Sequence, residues 1–229
     1  MQTLKSSSIF STSYFLNFWL KPKSFNFLLY SSSTSVSNPP LFNYLVKNLD
    51  FTETQALSIS NRYSHVKSLK KAQSVAKFFQ SLGFSNAQIA SSVRMAPQIL
   101  FADVEKKLKP KIKFFQDLGL VEPHLGKFFS RNSVLLICSL DKLIPSIQIV
   151  KKVLGDNNED LFKVFNRCNG FIARDGIIKL SRNIEYLESC GVVGSQLSNL
   201  LTRQPRIFRM TESALRDLVS RVLDRKSVV

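Results

Sequence analysis

Histidine and cysteine are scarce in this sequence, which has two and three of them in 229 residues. The cysteines show no C-x-x-C spacing, and neither histidine stands in a cluster of cysteines or carboxylates. These absences argue against a zinc site, and we expect the three thiols to be reduced and buried. No uncharged apolar run reaches about 18 residues, so we predict no membrane-spanning helix and no membrane partner.

The motifs that carry enzymatic chemistry are also missing. The sequence contains no P-loop, no G-x-G-x-x-G, no G-x-S-x-G and no H-E-x-x-H. Its serines and aspartates have no partner histidine that would create a nucleophile. The polar run Asn157–Asp160 is typical of a helix start, and less so of a carboxylate metal site. We therefore expect a protein that is not an enzyme and that has no cofactor, metal or small-molecule substrate.

Acidic residues are few, and the first of them is Asp50. Lysine and arginine number 32 against 16 aspartates and glutamates, a formal net charge of +16. This balance favours a polyanionic partner such as DNA, RNA or an anionic surface. Basic organellar targeting is an alternative source of charge, but residues 1–40 contribute only three lysines. Most of the positive charge therefore belongs to the remainder of the chain.

Residues 1–40 differ in composition from the rest of the sequence. They contain no acid, many serines and a cluster of Phe, Leu and Trp, and they end in Asn38-Pro39-Pro40. This composition predicts an organellar transit peptide followed by a linker. A disordered tail is an alternative, whereas a secretory signal fits poorly because polar residues interrupt Ile9–Leu20. We predict a mitochondrial location, with the chloroplast as the alternative because no arginine precedes Arg62.

A 36-residue period runs through the rest of the chain. Half of the eight glycines keep this interval, and they are Gly83, Gly119, Gly155 and Gly191. Apolar columns keep the same step, as in Ile89, Leu125, Leu161 and Leu197, in Val93, Phe129, Phe165 and Leu201, and in Leu100, Leu136, Ile172 and Phe208. A fixed period of this length predicts stacked helical units that bury a continuous core.

Each unit is predicted to contain two helices and a short 3₁₀ segment. The column glycine ends the first helix in a left-handed conformation, and Ser85 with Gln88 forms the capping box of the second. Pro97 stops the second helix, and Ile99–Phe101 follows as a 3₁₀ turn. The next first helix opens at a column of N-cap formers, which holds Asp103, Ser139, Asp175 and Thr211. Phenylalanines at helical spacing are predicted to be core residues and not base-stacking platforms.

Residues 108–115 have the sequence LKPKIKFF and continue into Asp117-Leu118-Gly119. This motif, together with the complete unit at residues 78–100, resembles the mTERF family of mitochondrial transcription termination factors, most closely its plant members. The resemblance covers residues 41–224, although Ser133 and Asn169 replace the proline that follows the second helix. It implies an all-α, left-handed superhelical solenoid. Residues 41–70 would be a degenerate N-terminal repeat, and residues 71–229 would hold repeats that end in an incomplete unit.

The resemblance also implies function, which agrees with the positive charge. We expect an organellar protein that binds double-stranded DNA as a monomer and regulates transcription or its termination. RNA binding in organellar splicing or ribosome assembly is an alternative. A protein-interaction solenoid is another, and a shortened copy with reduced function is a third because the last unit is incomplete.

Cations at repeat spacing are the candidate contacts to phosphates. One column holds arginine in three successive units, and a second column, one turn earlier, holds two lysines. A guanidinium can form paired hydrogen bonds to phosphate or guanine, but a cation at a helix end also offsets the helix dipole. The lysine run Lys106–Lys113 is a weaker candidate, because such runs are commonly solvated. The predicted nucleic-acid-binding residues are Arg94, Lys127, Arg131, Lys163, Arg167, Arg203 and Arg206.

Overall fold

The computed structural model describes residues 36–155, 157–172 and 175–226, and these ranges contain helices and turns but no β-strand. The predicted all-α class is therefore confirmed. Described residues up to Leu140 belong to one compact unit, and those from Asp141 onward belong to another. None of the helices in these ranges has the length and apolar character needed to cross a membrane. Most of the predicted transit peptide, residues 1–35, lies outside the described residues.

The first unit contains seven helices with short connections. They are α1 (Pro39–Leu49), α2 (Glu53–Arg62), α3 (Lys70–Ser81), α4 (Asn86–Met95), α5 (Lys109–Asp117), α6 (His124–Arg131) and the single turn α7 (Val134–Ile137). A 3₁₀ segment, Pro97–Phe101, follows α4, and a π-helical turn, Val104–Leu108, precedes α5. Helix α1 packs against α2, and α4 packs against α6. Both predicted helices of the repeat that starts at α3 are thus present, with the predicted 3₁₀ segment after them.

The second unit repeats the same order of elements. Its helices are α8 (Leu140–Leu154), α9 (Asn158–Arg167), α10 (Gly176–Ser189), α11 (Gly194–Arg203) and α12 (Glu212–Lys226). The 3₁₀ segments Asn169–Ile172 and Pro205–Arg209 follow α9 and α11. Helix α9 packs against α11, and α10 packs against both 3₁₀ segments. The second helices of successive repeats therefore lie side by side in this unit, as they do in the first.

Helix α1 begins within the predicted linker. Asn38 is the N-cap of α1, and Pro39 and Pro40 form its first turn. Proline suits the first turn of a helix, where its missing N–H would have no partner. Asn38 is buried, and its Nδ2 donates to the carbonyl oxygens of Tyr63 and Val66 at 2.9 and 2.8 Å. The folded part of the chain thus begins before residue 41.

The glycine column ends the first helices as predicted. Gly83 has φ +76°, a left-handed conformation in which a Cβ is strained. Its N–H donates to Gln80 O at 3.0 Å, and Phe84 N–H donates to Phe79 O at 3.1 Å. This pair of bonds is a Schellman motif, which satisfies carbonyls that a helix end leaves open. The other three column glycines also have positive φ values, between 70° and 91°.

The predicted caps are confirmed at several helix starts. Gln88 N–H donates to Ser85 Oγ at 3.2 Å, and Ser85 N–H donates to Gln88 Oε1 at 2.9 Å, which completes the capping box. Asp103 Oδ1 accepts from the N–H of Lys106 at 2.8 Å. This cap opens the π-helical turn, and α5 begins only at Lys109. Pro110 lies in the first turn of α5, where its missing N–H needs no partner.

Asp175 does not cap α10 in the predicted way. It stands at the N-cap position, but its side chain accepts no hydrogen bond from the first turn. The carboxylate instead forms an ion pair with Lys179. The hydrogen bond from that ammonium lowers the pKa of the Asp175 carboxyl. The ion pair with Lys179 therefore takes the place of the predicted capping hydrogen bond.

In three repeats, a buried polar side chain connects the first helix to the short segment that follows the second helix. Lys111 Nζ on α5 donates to Leu136 O at 2.6 Å, and Ser146 Oγ on α8 donates to Phe171 O at 3.2 Å. Asn183 Nδ2 on α10 donates to Met210 O at 3.0 Å. All three side chains are buried. These clasp residues, Lys111, Ser146 and Asn183, satisfy carbonyls that no helix would pair.

Replacing Lys111 with methionine should change how stability depends on pH. Burial lowers the pKa of the Lys111 ammonium below its model-compound value of 10.5. Between the folded and unfolded pKa values the unfolded chain binds more protons, so the unfolding free energy of the parent rises with pH in that window. Lys111→Met removes this rise. Urea unfolding at several pH values up to about 10 measures it.

The exposed neighbour Lys113 supplies the matched control for that measurement. Its side chain is 76% exposed, so Lys113→Met should leave the pH dependence of the parent unchanged. Parallel stability curves for the parent and Lys111→Met would contradict the burial of a charged amine at residue 111.

Candidate nucleic-acid interface

Helices α4 and α6 form the core of the candidate interface in the first unit. Ser91 Oγ donates to Ser130 O at 3.0 Å, and Ser92 Oγ donates to Phe129 O at 3.4 Å. At the other end of the pair, a Cβ on Gly126 would lie 2.4 Å from Gln88 Oε1. Because these partners are separated by a nearly constant number of residues, the two helices run parallel. Their C-terminal ends therefore lie at the same edge of the unit.

The predicted arginine column lies at this C-terminal end in every repeat. It is occupied by Met95, Arg131, Arg167 and Arg203, each the last residue of its second helix. All four side chains are exposed, and Met95 remains 54% exposed even though it is apolar. The exposed Met95 shows that packing does not require a cation at this position. Unlike the buried apolar columns beside it, this column faces solvent in all four repeats.

The predicted cations of the first unit are all solvent-accessible. Arg94 precedes Met95 at the end of α4, and Lys127 and Arg131 lie one turn apart on α6. No carboxylate of the described residues forms an ion pair with any of the three. Each of these charges can therefore meet a phosphate without first giving up an internal partner.

The predicted cations of the second unit are more varied in their contacts. Arg167 Nη1 donates to Thr202 O, which brings the C-terminal ends of α9 and α11 together beside Arg203. Lys163 is paired with Asp160 at 2.9 Å and with Glu159 at 3.3 Å. The hydrogen bond to Asp160, followed by that to Glu159, raises the pKa of the Lys163 ammonium. The structure thus places Lys163 in an ion-paired cluster and Arg167 in a capping contact.

Arg206 is exposed on the 3₁₀ segment that follows α11, three residues after Arg203. Arg209, at the end of that segment, lies against Gly170, where a Cβ would be 2.2 Å from its Nη1. This arginine was not among the predicted contacts. The signal in the sequence is Gly170, a glycine outside the 36-residue column, because only a glycine leaves room for the guanidinium.

The predicted core phenylalanines do not provide a base-stacking surface. Phe79, Phe115, Phe129 and Phe165 are buried, as predicted. Phe78 and Phe114 are half-buried, because they stand one position away from the inward face of their helices. Met95 is the apolar side chain that the prediction missed beside the arginine column. It could have been found by carrying that column one period back from Arg131.

Arg167→Gln should separate the capping role of the column from any role in binding. Loss of the bond to Thr202 O leaves an open carbonyl at the end of α11, so we expect a loss of about 1 kcal/mol in unfolding free energy. Arg131→Gln is the matched control, and we expect a change within about 0.5 kcal/mol. Urea unfolding measures both. Equal losses in the two variants would show that the contact to Thr202 contributes nothing.

Helix pairs repeated at 36 residues, with a solvent-exposed cation at the end of each second helix, define a helical-repeat protein with a basic surface. The mTERF family model matches residues 76–224, so the chain belongs to the mTERF family. This confirms the resemblance predicted from the motifs. The left-handed superhelix that the family implies stays a prediction.

Two relatives carry names that agree with this family. The chain is 23% identical to the chloroplastic transcription termination factor MTERF8 of Arabidopsis thaliana, over 68% of this chain and 30% of that protein. It is 26% identical to the mitochondrial transcription termination factor 3 of Drosophila melanogaster, over 72% of this chain and 57% of that protein. The chain thus spans less than two thirds of each relative.

Proposed function

We propose that this chain is an organellar nucleic-acid-binding protein that acts in transcription or its termination and catalyses no reaction of its own. Its preferred ligand is double-stranded DNA, which it binds as a monomer. The names of the two relatives, one chloroplastic and one mitochondrial, support an organellar role in transcription. Membership of the mTERF family supports the same role.

The observation that carries the proposal is the exposed column at the C-terminal ends of the second helices. Arginine occupies this column in three repeats, although the exposed Met95 shows that packing does not require a cation there. A guanidinium that recurs at the same position of successive repeats can contact a phosphate in each of them. The formal net charge of +16 adds a long-range attraction to any nucleic acid.

Binding to matched nucleic acids tests the proposal directly. The purified full chain is titrated with one sequence as duplex DNA, single-stranded RNA and duplex RNA, over a series of salt concentrations. We expect the tightest binding to duplex DNA and a steep loss of affinity with salt. Equal or tighter binding to RNA would contradict the preference for double-stranded DNA. No retention on heparin or DNA resin at low salt would overturn nucleic-acid binding and leave a protein-interaction solenoid.

Cross-linking in isolated mitochondria and chloroplasts, followed by sequencing of both recovered nucleic acids, tests the biological setting. Enrichment of DNA near the ends of transcription units, in one of the two organelles, is the expected result. Recovery of ribosomal or intron RNA alone would contradict a role in transcription. The organelle that yields the cross-links also identifies the location.

A further inference from the structure

The first unit contains an apolar groove that the proposed function does not use. It lies between α3 and α5 and has a volume of about 540 Å³. Phe78 on α3 and Leu82 at its C-cap, one helical turn apart, line one side of the groove. The complete lining consists of Phe78, Leu82, Lys109, Pro110, Ile112, Lys113 and Gln116.

Two lysines border this apolar floor. Lys109 and Lys113 stand one helical turn apart on α5, and their side chains are 51% and 76% exposed. Each has an exposed partner on its own helix or the preceding turn, Glu105 at 2.6 Å and Asp117 at 3.1 Å. Exposed i,i+4 pairs of this kind contribute little to stability, because water screens both charges. An incoming carboxylate can therefore replace either partner at little cost.

The positive rim is not a requirement of the repeat. Two periods further on, the positions of Lys109, Lys113 and Gln116 are held by Ser181, Glu185 and Glu188 on α10. The same helix position is thus cationic in one repeat and acidic in another, while both helices form normally. Packing therefore accepts either charge at this position. The lysines beside the groove favour a ligand of negative charge.

We propose that the groove between α3 and α5 is a docking site for an acidic amphipathic helix of a protein partner. Apolar side chains of the partner, one turn apart, would fill the space between Phe78, Leu82 and Ile112. Carboxylates flanking them would meet Lys109 and Lys113. This is the recognition mode in which a helix inserts its apolar face into a groove between two helices.

The shape of the groove favours a helix over a lipid surface. Phe78 and Leu82 are half-buried and Ile112 is buried, so the apolar atoms are recessed between the two helices. A bilayer needs apolar side chains that project into it, whereas a ridge of side chains on a helix can enter a recess. The groove is also separate from the arginine column, which lies on the second helices. A protein partner and a nucleic acid can therefore be bound by different helices of one unit.

Two designed peptides test the proposal on the full chain. Both carry leucines at i, i+3, i+4 and i+7, and the remaining positions are glutamate in one peptide and lysine in the other. Fluorescence anisotropy is measured for the parent, Leu82→Gln, the double variant Lys109→Gln with Lys113→Gln, and the control Lys142→Gln, which removes an exposed charge on α8. Anionic phospholipid vesicles and duplex DNA serve as competitors, and circular dichroism verifies that each variant is folded.

We expect the acidic peptide to bind the parent and Lys142→Gln equally, and the lysine peptide to bind neither. Leu82→Gln and the double lysine variant should each weaken binding by roughly fivefold or more. Failure of the acidic peptide to bind, or binding that is unaffected by both groove variants, would overturn the proposal. Displacement of the peptide by vesicles, with vesicle binding lost in the groove variants, would assign the surface to a membrane instead. Displacement of the peptide by DNA would show that the peptide binds at the arginine column, which would also overturn the proposal.

Discussion

Duplex DNA should bind roughly 100-fold more weakly at moderate salt when Arg131, Arg167 and Arg203 are all replaced by glutamine. The three side chains are exposed at equivalent positions, so each is expected to neutralise one phosphate. On B-DNA, each lost phosphate contact makes the plot of log affinity against log salt less steep by about 0.9, so three lost contacts reduce its steepness by about 2.7. On a single strand the same loss is about 2. The slope therefore reports the kind of ligand as well as the contacts.

A second triple variant controls for the loss of net charge. Lys70, Lys71 and Lys77 are exposed on α3, and their replacement by glutamine removes the same three charges. We expect this variant to bind within a few-fold of the parent, because its lysines lie outside the column. A third variant with lysine in place of the three arginines should keep the salt slope but lose the paired hydrogen bonds. Equal losses of affinity in the triple arginine-to-glutamine variant and in the variant of Lys70, Lys71 and Lys77 would show that binding depends on net charge and not on the column.

Phe129→Ala should cost about 3–5 kcal/mol in unfolding free energy, because it truncates a fully buried aromatic side chain. Phe129 is fully buried, and its ring packs edge-on against Phe115 at 5.2 Å and Phe128 at 5.3 Å. Truncation removes both aromatic contacts and leaves a cavity between α5 and α6. Urea denaturation followed by the helix signal measures the loss.

Phe114→Ala provides the matched comparison. Phe114 is half-buried and packs edge-on against Phe115 at 5.5 Å, so its truncation opens the site to water and leaves no enclosed cavity. We expect a loss of no more than about half that of Phe129→Ala. Similar losses of unfolding free energy in the two variants would show that the full burial of Phe129 adds nothing to its contribution to stability.

The local features of the repeat could be predicted because each depends on neighbours in sequence. The left-handed Gly83 and the capping box of Ser85 with Gln88 involve residues at most five apart, and both were confirmed. The pairing of Lys163 with Glu159 and Asp160 belongs to the same class. The i,i+3 and i,i+4 spacing of these residues is a sufficient signal for the pairing, although Lys163 was predicted only as a phosphate contact.

Tertiary contacts account for the rest. Lys111 stands in a run of lysines that was predicted to be solvated, and nothing in its vicinity indicates that it is buried. Its partner, Leu136 O, is 25 residues away and becomes available only when the α7 turn folds back on α5. The contact between Arg167 and Thr202 spans 35 residues in the same way. A single residue's burial or pairing of this kind depends on the packing of whole repeats.

The clasp residues have a consequence for how such a protein can evolve. Three repeats close the same gap with an amine, a hydroxyl and an amide, on Lys111, Ser146 and Asn183. One substitution can therefore loosen or tighten one repeat while its neighbours keep their own donors. Selection can adjust the stiffness of the array repeat by repeat, and duplicated units can diverge without first losing their fold.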